Sequence, residues 1–159
     1  MLRATRLWSL GALIAGLWTP GVFAESVKIG LSLPTQAEER WVRDKNTMVE
    51  AAKQAGVDLR VQITNQDAAK QVAQSENLLA QGIKVLILAP HDAESAAVIV
   101  QKAKKANVKV ISYDRLILNS EPDVYLSFDN AKVGEAQGEY LSKLVPKGNY
   151  VVLAGAPTH

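Results

Sequence analysis

The stretch GIKVLILAP, residues 82–90, decides the fold class. Between its glycine and its proline all but one residue is apolar, as in a strand that is covered on both faces of a sheet. The residues before it follow a helical pattern, with Asp67 as the N-cap, Val72 and Leu79 on the apolar face and Gly82 just past the end. A helix that runs directly into a buried strand is typical of the repeating unit of a parallel α/β sheet.

The same alternation extends in both directions along the chain. Apolar patterns predict six strands, at residues 27–33, 59–63, 83–89, 108–113, 124–128 and 150–153. Helical spacing predicts helices at residues 40–55, after Asp67, from Asp92 to Asn107 and from Asp129, the last with an apolar face of Val133, Ala136, Tyr140, Leu141 and Leu144. The helix ends at Gly56, Gly82 and Asn107 lie 26 and 25 residues apart, about one βα unit each. Right-handed crossovers then predict a doubly wound, mostly parallel α/β sheet with helices on both faces.

Residues 1–24 have the pattern of a cleaved secretory signal. Arg3 and Arg6 precede an apolar run at residues 7–18, and small residues lead up to Ala24. The run is shorter than the ~20 apolar residues that a membrane-spanning helix needs. We therefore expect export with cleavage after Ala24, and one folded domain over residues 25–153.

Charge and composition exclude several classes of function. The chain has 18 basic and 16 acidic residues, and loss of the signal would leave 16 of each, so no basic surface for nucleic acid is expected. Cysteine is absent, which excludes disulfides, a thiol nucleophile and thiolate metal centres. Two histidines, His91 and His159, leave little for a histidine metal site or a catalytic triad. We expect neither a metal nor a cofactor.

Four charged or aromatic side chains follow the ends of predicted strands. Arg40 and Trp41 follow the first strand, and Asp114 and Arg115 follow the fourth. Because ligands of parallel sheets bind outside the carboxyl ends of the strands, we expect these four residues to share one rim. A carboxylate accepts from neighbouring hydroxyls, a guanidinium donates in a fixed fork, and an indole can lie against the C–H face of a sugar ring. The set predicts a site for a small polyhydroxylated molecule.

Each of these residues also has a simpler interpretation. Asp114 and Arg115 can be a loop ion pair, Trp41 can be core packing at the start of a helix, and Arg40 can be a solvated first-turn residue. The simplest interpretations of the neighbouring residues are a helix cap at Asp129, a loop histidine at His91 and inward-facing strand ends at Tyr113 and Phe128.

Other types of site are not found in the sequence. The loop after the first strand, residues 30–34, has neither the glycine-rich dinucleotide turn nor the lysine of a phosphate loop. No Gly-x-Ser-x-Gly nucleophile elbow occurs. Asp114 and Asp129 could serve a hydrolase as acid and base, but one half-sized domain offers no evident substrate cleft. We therefore expect a binding protein and not an enzyme.

The chain resembles a known family along nearly all of its length after the signal. The segments that carry the resemblance are VKIG (27–30), ERW (39–41), GIKVLI (82–87), VKVISYDR (108–115), YLSFDN (125–130), KVG (132–134) and VPKGNY (145–150). They resemble the N-terminal domain of periplasmic sugar-binding proteins of ABC import systems, in the ribose/xylose group. The resemblance implies a type I periplasmic-binding lobe in which Arg40, Trp41, Asp114 and Arg115 line the sugar site. It also implies a periplasmic protein of two lobes that close over a monosaccharide such as D-xylose, with a membrane permease and a chemosensory receptor as partners.

The sequence departs from this family at residues 154–159, which correspond to the start of the hinge. We expect the second lobe and its sugar contacts to be absent, with His159 near the hinge, and we expect weaker binding because one wall cannot bury most of a ligand. The alternatives are a stand-alone exported α/β module, either a partner-binding domain or a weak hydrolase, and a non-functional fragment. The effector domain of a sugar-responsive repressor shares the expected fold, but the export signal argues against it.

Overall fold

A computed structural model describes residues 26–154 of the 159-residue chain. The predicted signal sequence and residues 155–159, with His159, lie outside the described residues. The strands are β1 (Lys28–Leu33), β2 (Asp58–Ile63), β3 (Val85–Leu88), β4 (Lys109–Tyr113) and β5 (Val124–Leu126). The helices are α1 (Glu39–Gln54), α2 (Ala68–Ala80), α3 (Ala97–Lys105) and α4 (Asn130–Leu144). The five strands form one parallel sheet in the order β2-β1-β3-β4-β5.

The two faces of the sheet have separate cores. On one face, Trp41 of α1 packs with Leu31, Leu33 and Ala89. On the other face, Leu78 of α2 and the buried residues of α3 pack against β3 and β4 in a larger cluster. The connection from β1 to β2 runs in one direction across the sheet, and the connections from β2 to β3 and from β3 to β4 run in the other. Because such crossovers are right-handed, α1 lies on the face opposite α2 and α3. The predicted doubly wound α/β sheet is confirmed.

The predicted helix ends are confirmed where the backbone enters the left-handed region. Gly56 has a φ of +67°, Gly82 a φ of +76° and Asn107 a φ of +56°. Glycine and asparagine are the residues that adopt this conformation most readily, so each stops its helix. Asp67 caps α2 as predicted, because its Oδ1 accepts a hydrogen bond from the Lys70 N–H at 2.9 Å.

One predicted helix detail is wrong, and another is confirmed but incomplete. Asp92 does not cap α3; its Oδ1 accepts from the Ser95 N–H at 2.7 Å and closes a separate turn, and the helix begins only at Ala97. On α2, Val72 and Leu79 pack against the core as predicted but are only partly buried, and the fully buried side chains are Gln71, Ser75 and Leu78. The apolar pattern missed the first two because they are polar.

The prediction was also wrong after β5. The strand ends at Leu126 rather than at residue 128, and residues 150–153 form no strand. None of the residues of α4 is buried, and its predicted apolar face is exposed, with Tyr140 at 67% and Leu144 at 65%. The amphipathic pattern showed that this helix needs a partner, but no element within residues 26–154 covers it. Each helix in this range also falls short of the length and apolarity that crossing a bilayer requires.

Candidate functional site

The candidate site lies at the carboxyl ends of β1, β3, β4 and β5. Because all these strands are parallel, their carboxyl ends meet at one edge of the sheet. The first turn of α1 brings Arg40 and Trp41 to this edge, and the residues directly after β4 bring Asp114 and Arg115. The structure therefore brings together all four residues that the sequence predicted.

An ion pair between Arg40 and Asp114 joins α1 to the end of β4. Arg40 Nη2 lies 2.6 Å from Asp114 Oδ1, and the side chains are 40% and 14% exposed. A second contact ties the same elements, because the Tyr113 hydroxyl donates to Asp44 Oδ2 at 3.0 Å. Burial and this acidic partner both raise the pKa of Tyr113 above its ordinary value.

Trp41 lies beneath both guanidinium groups. Its side chain is fully buried, and the guanidinium carbons of Arg40 and Arg115 lie 4.3 Å and 5.5 Å from the ring centroid. Contacts of this kind are attractive because the ring face is negative. The buried ring is not open to a ligand, so the structure favours the core-packing interpretation of Trp41 over direct stacking on a sugar. Trp41 instead supports the two arginines.

The two arginines differ in their surroundings. Burial acts to lower the pKa of Arg40, but the hydrogen bond and charge of Asp114 outweigh it and the pKa lies above its usual value. Arg115 donates from Nη1 to the Pro90 carbonyl at 3.2 Å, and burial lowers its pKa. Both groups stay protonated, since an arginine pKa lies so far above neutral pH.

The backbone of Asp114 is held in an uncommon conformation. Its φ is +66°, in the left-handed region that residues other than glycine rarely occupy. Its N–H donates to the Leu126 carbonyl at 2.8 Å, and its carbonyl accepts from Ser127 Oγ at 2.8 Å. Arg115 N–H donates to the Tyr113 carbonyl at 2.8 Å, which closes a tight turn around Asp114. Non-glycine residues held in this way are concentrated at functional sites.

An open cleft of about 460 Å³ lies beside these groups. It is lined by Arg40, Ala93, Asp114, Arg115, Leu116, Leu118, Tyr125, Phe128 and Asn130. Phe128 is 73% exposed and is not the inward strand end that the sequence predicted, because β5 stops two residues earlier. Sequence reasoning missed Tyr125, Phe128 and Asn130 as lining residues. The rule that ligands bind at strand ends could have found them, since Tyr125 lies in the short strand β5 and Phe128 and Asn130 follow it.

The remaining candidates have structural roles. Asp129 caps α4 as predicted, accepting from the Lys132 N–H at 3.2 Å. His91 lies on the loop after β3, where its backbone N–H donates to Gln71 Oε1 at 2.8 Å. No group of three acidic or histidine side chains that could hold a metal occurs in the described part of the chain.

Comparison with known proteins gives a consistent set of relatives. A family model described as a periplasmic binding protein domain matches residues 29–159. The chain is 37% identical to the D-xylose-binding periplasmic protein of Haemophilus influenzae over 156 residues, 98% of this chain and 46% of that protein. It is 38% identical to the protein of the same name from Escherichia coli over 134 residues, 84% of this chain and 41% of that protein. The chain thus spans less than half the length of these relatives.

Solved structures with bound carbohydrates share the fold. A carbohydrate transporter solute binding protein from Chloroflexus aurantiacus, in complex with D-glucose, matches with a TM-score of 0.71 and 41% identity over 76% of this chain and 36% of that one. An ABC transporter periplasmic solute binding protein from Actinobacillus succinogenes, with bound D-allose, matches with a TM-score of 0.74 and 26% identity over 83% of this chain and 49% of that one.

Proposed function

The chain belongs to the periplasmic binding protein family, and we propose that it forms the amino-terminal lobe of a receptor that binds a monosaccharide for an ABC importer. The observation that carries the proposal is the meeting of Arg40, Asp114 and Arg115 beside one open cleft. Further support comes from the relatives that are named for sugar binding.

In this proposal the three charged residues contact the sugar hydroxyls. Asp114 accepts from the ligand through Oδ2, because its Oδ1 is engaged by Arg40. Arg40 and Arg115 donate through guanidinium N–H groups that do not contact Asp114 or Pro90. Hydrogen bonds to charged groups are stronger than neutral ones, and the paired charges suit an uncharged ligand.

Aromatic contact is assigned to the exposed wall of the cleft rather than to Trp41. Phe128 and Tyr125 line the cleft and are 73% and 45% exposed, so their rings are open to a ligand. Trp41 keeps a supporting role beneath Arg40 and Arg115, which fixes the direction of the two donors.

We propose a pentose, and first D-xylose, as the ligand. Two of the relatives are named D-xylose-binding proteins, and each is more than a third identical to this chain. A third, the multiple sugar-binding receptor ChvE of Rhizobium radiobacter, is 39% identical over 78% of this chain, so a wider range of sugars belongs in any test.

The boundary of the binding lobe is proposed to lie near residues 127–129 and not at residue 153. The two cores use residues up to Ile117, β5 ends at Leu126, and every residue from 128 to 154 is exposed. We assign α4 and the segment after it to the beginning of a second lobe, whose remaining elements would cover the apolar face of α4. Closure of two lobes would hide the sugar from water.

Location and partners follow from the same proposal. We propose export by the signal at residues 1–24, residence in the periplasm, and delivery to a membrane permease, with a chemosensory receptor as a second partner. Sequencing of the protein from the envelope fraction should then begin at or near Glu25. A start at Met1 in that fraction would contradict the proposed signal.

A catalytic role is not proposed. The relatives are named as binding proteins. The two carboxylates that could have formed an acid–base pair have other partners, since Asp114 is paired with Arg40 and Asp129 caps α4.

Calorimetric titration tests the function. D-xylose, D-ribose, L-arabinose and D-glucose should be titrated into the chain, with L-leucine and L-glutamate as controls for other classes of solute. We expect binding of at least one sugar and of neither amino acid. Absence of heat with all four sugars, or equal binding of the amino acids, would contradict the proposal.

A further inference from the structure

A buried glutamine on α2, Gln71, contacts the loop after β3, and the same loop accepts a hydrogen bond from Arg115. Gln71 is 1% exposed and is among the largest fully buried side chains of the described residues. Its Nε2 donates to Ser32 Oγ at 3.2 Å and to the Ala89 carbonyl at 2.9 Å, and its Oε1 accepts from the His91 N–H at 2.8 Å. Three of the four hydrogen bonds available to an amide are therefore made.

Two of these three partners flank Pro90, a residue that contacts the site through its carbonyl. Ala89 and His91 flank Pro90, and the carbonyl of Pro90 is the group that accepts from Arg115 Nη1. Pro90 has no N–H of its own, so it cannot add a donor to fix this loop. The amide of Gln71 bonds the chain on both sides of the proline, and through Ser32 it also joins the loop to β1.

We propose that Gln71 is a positioning residue of the ligand site, acting on Arg115 through the Pro90 carbonyl. The inference rests on the proposed sugar-binding function only for its effect on affinity. The link itself, from Gln71 through Pro90 to Arg115, is a property of the protein without ligand.

The same helix offers a matched control. Ser75 lies one turn after Gln71, is fully buried, and its hydroxyl has no hydrogen-bond partner among the described residues. A substitution at Ser75 disturbs the same buried face of α2 but removes none of the three hydrogen bonds of Gln71.

The ligand-free test is a double-mutant cycle between Gln71→Met and Arg115→Ala, followed by chemical denaturation. Methionine keeps the length of the side chain and removes all three hydrogen bonds. If Gln71 positions Arg115, the two changes should be non-additive, as coupled residues are. The cycle of Ser75→Ala with Arg115→Ala should be additive. Additivity in both cycles would overturn the proposal, whether or not the chain binds sugar.

The ligand test compares affinities for D-xylose and D-glucose. We expect Gln71→Met to weaken binding by roughly tenfold, the effect of losing one hydrogen bond between a misplaced Arg115 and the ligand, and Ser75→Ala to leave it unchanged. If Gln71→Met fails to fold, Ser32→Ala replaces it, because this change removes only one of the three contacts and should weaken binding less. Equal affinity for the wild type and the folded Gln71 or Ser32 variant would overturn the proposal. Absence of binding by the wild type would count against the proposed function and leave the denaturation cycle to decide the positioning role.

Discussion

Two aspartate–arginine ion pairs lie at opposite ends of the sheet and differ in what surrounds them. At the carboxyl end, Arg40 Nη2 contacts Asp114 Oδ1 at 2.6 Å. At the amino end of β2, Arg60 contacts Asp58 through two hydrogen bonds of 2.7 Å, one from Nε and one from Nη2. By hydrogen-bond geometry alone, the pair at the amino end is the better one.

The difference lies in how each pair is built. Asp58 and Arg60 are two residues apart on one strand, so local geometry suffices to bring them together. Arg40 and Asp114 lie on different elements, and Asp114 also has a left-handed backbone. Only this pair lies over a buried indole and lines the cleft of about 460 Å³. An ion pair therefore indicates a site when the fold brings residues together that are far apart in the sequence, and not because its N–O distance is short.

Trp41→Ala should have the largest effect on stability, since the carboxyl end is built over this side chain. Replacing a fully buried tryptophan by alanine typically costs about 3–5 kcal/mol of the free energy of unfolding. Met48→Ala, toward the other end of the same helix and only partly buried, should cost less. Chemical denaturation of both variants measures the two costs. Equal costs would contradict the claim that the carboxyl end of the sheet depends on the buried Trp41 side chain.

Asp114→Asn and Asp58→Asn together test whether only the ion pair at the carboxyl end takes part in sugar binding. Asparagine tolerates the positive φ of Asp114, so the change removes mainly the charge. We expect a loss of about 1.5–3 kcal/mol in the free energy of sugar binding, the range for a hydrogen bond to a charged group. Asp58→Asn should leave affinity unchanged in the same calorimetric titration. Equal losses in the two variants would mean that the effect is general electrostatics.

Trp41 fluorescence should report on the carboxyl end. Trp8 and Trp18 lie in the proposed signal at residues 1–24, so Trp41 is the only tryptophan that remains after cleavage. A sugar that engages Arg40 and Arg115 moves charges next to the ring, so the emission should change on addition of D-xylose. No change at saturating sugar would show that the ring and its two guanidiniums do not sense the ligand.

The smallest expected effect is on the pH dependence of stability, through the Asp58–Arg60 ion pair at the amino end of β2. The hydrogen bond from Arg60 lowers the pKa of Asp58 below its ordinary value of 3.8. Its contribution to stability is therefore present above the unfolded pKa and is lost as the pH falls through the folded one. Denaturation between pH 5 and pH 3 should show a slightly shallower loss of stability for Asp58→Asn than for the wild type. An unchanged pH profile would mean that this exposed pair contributes nothing, as many surface pairs do.

The sequence predicted the elements up to β4 more closely than the segment after β5. β1 to β4 and the stops at Gly56 and Gly82 were predicted closely, because apolar runs and glycine report local requirements. The apolar face of α4 was predicted to be buried, but it is exposed in the described residues. The pattern along one helix shows which face is apolar and cannot specify which element covers it.

The meeting of four site residues was predicted, but their arrangement and the rest of the cleft lining were not. Parallel strands bring their carboxyl ends together, so the convergence of Arg40, Trp41, Asp114 and Arg115 followed from topology. That Trp41 lies beneath the arginines, and that Gln71 holds the loop of Pro90, depends on side-chain packing across the sheet. A buried polar residue on a helix breaks the apolar pattern, so no sequence signal indicated Gln71.

Nuclear magnetic resonance of the ¹⁵N-labelled chain during addition of D-xylose tests the central claim most directly. We predict saturable shifts in the backbone amides of residues 40–41 and 113–116 and in the guanidinium signals of Arg40 and Arg115, with Asp58 and Arg60 unchanged. Shifts centred on Asp58 and Arg60, or none anywhere at saturating sugar, would contradict a carbohydrate site at the carboxyl end of the sheet.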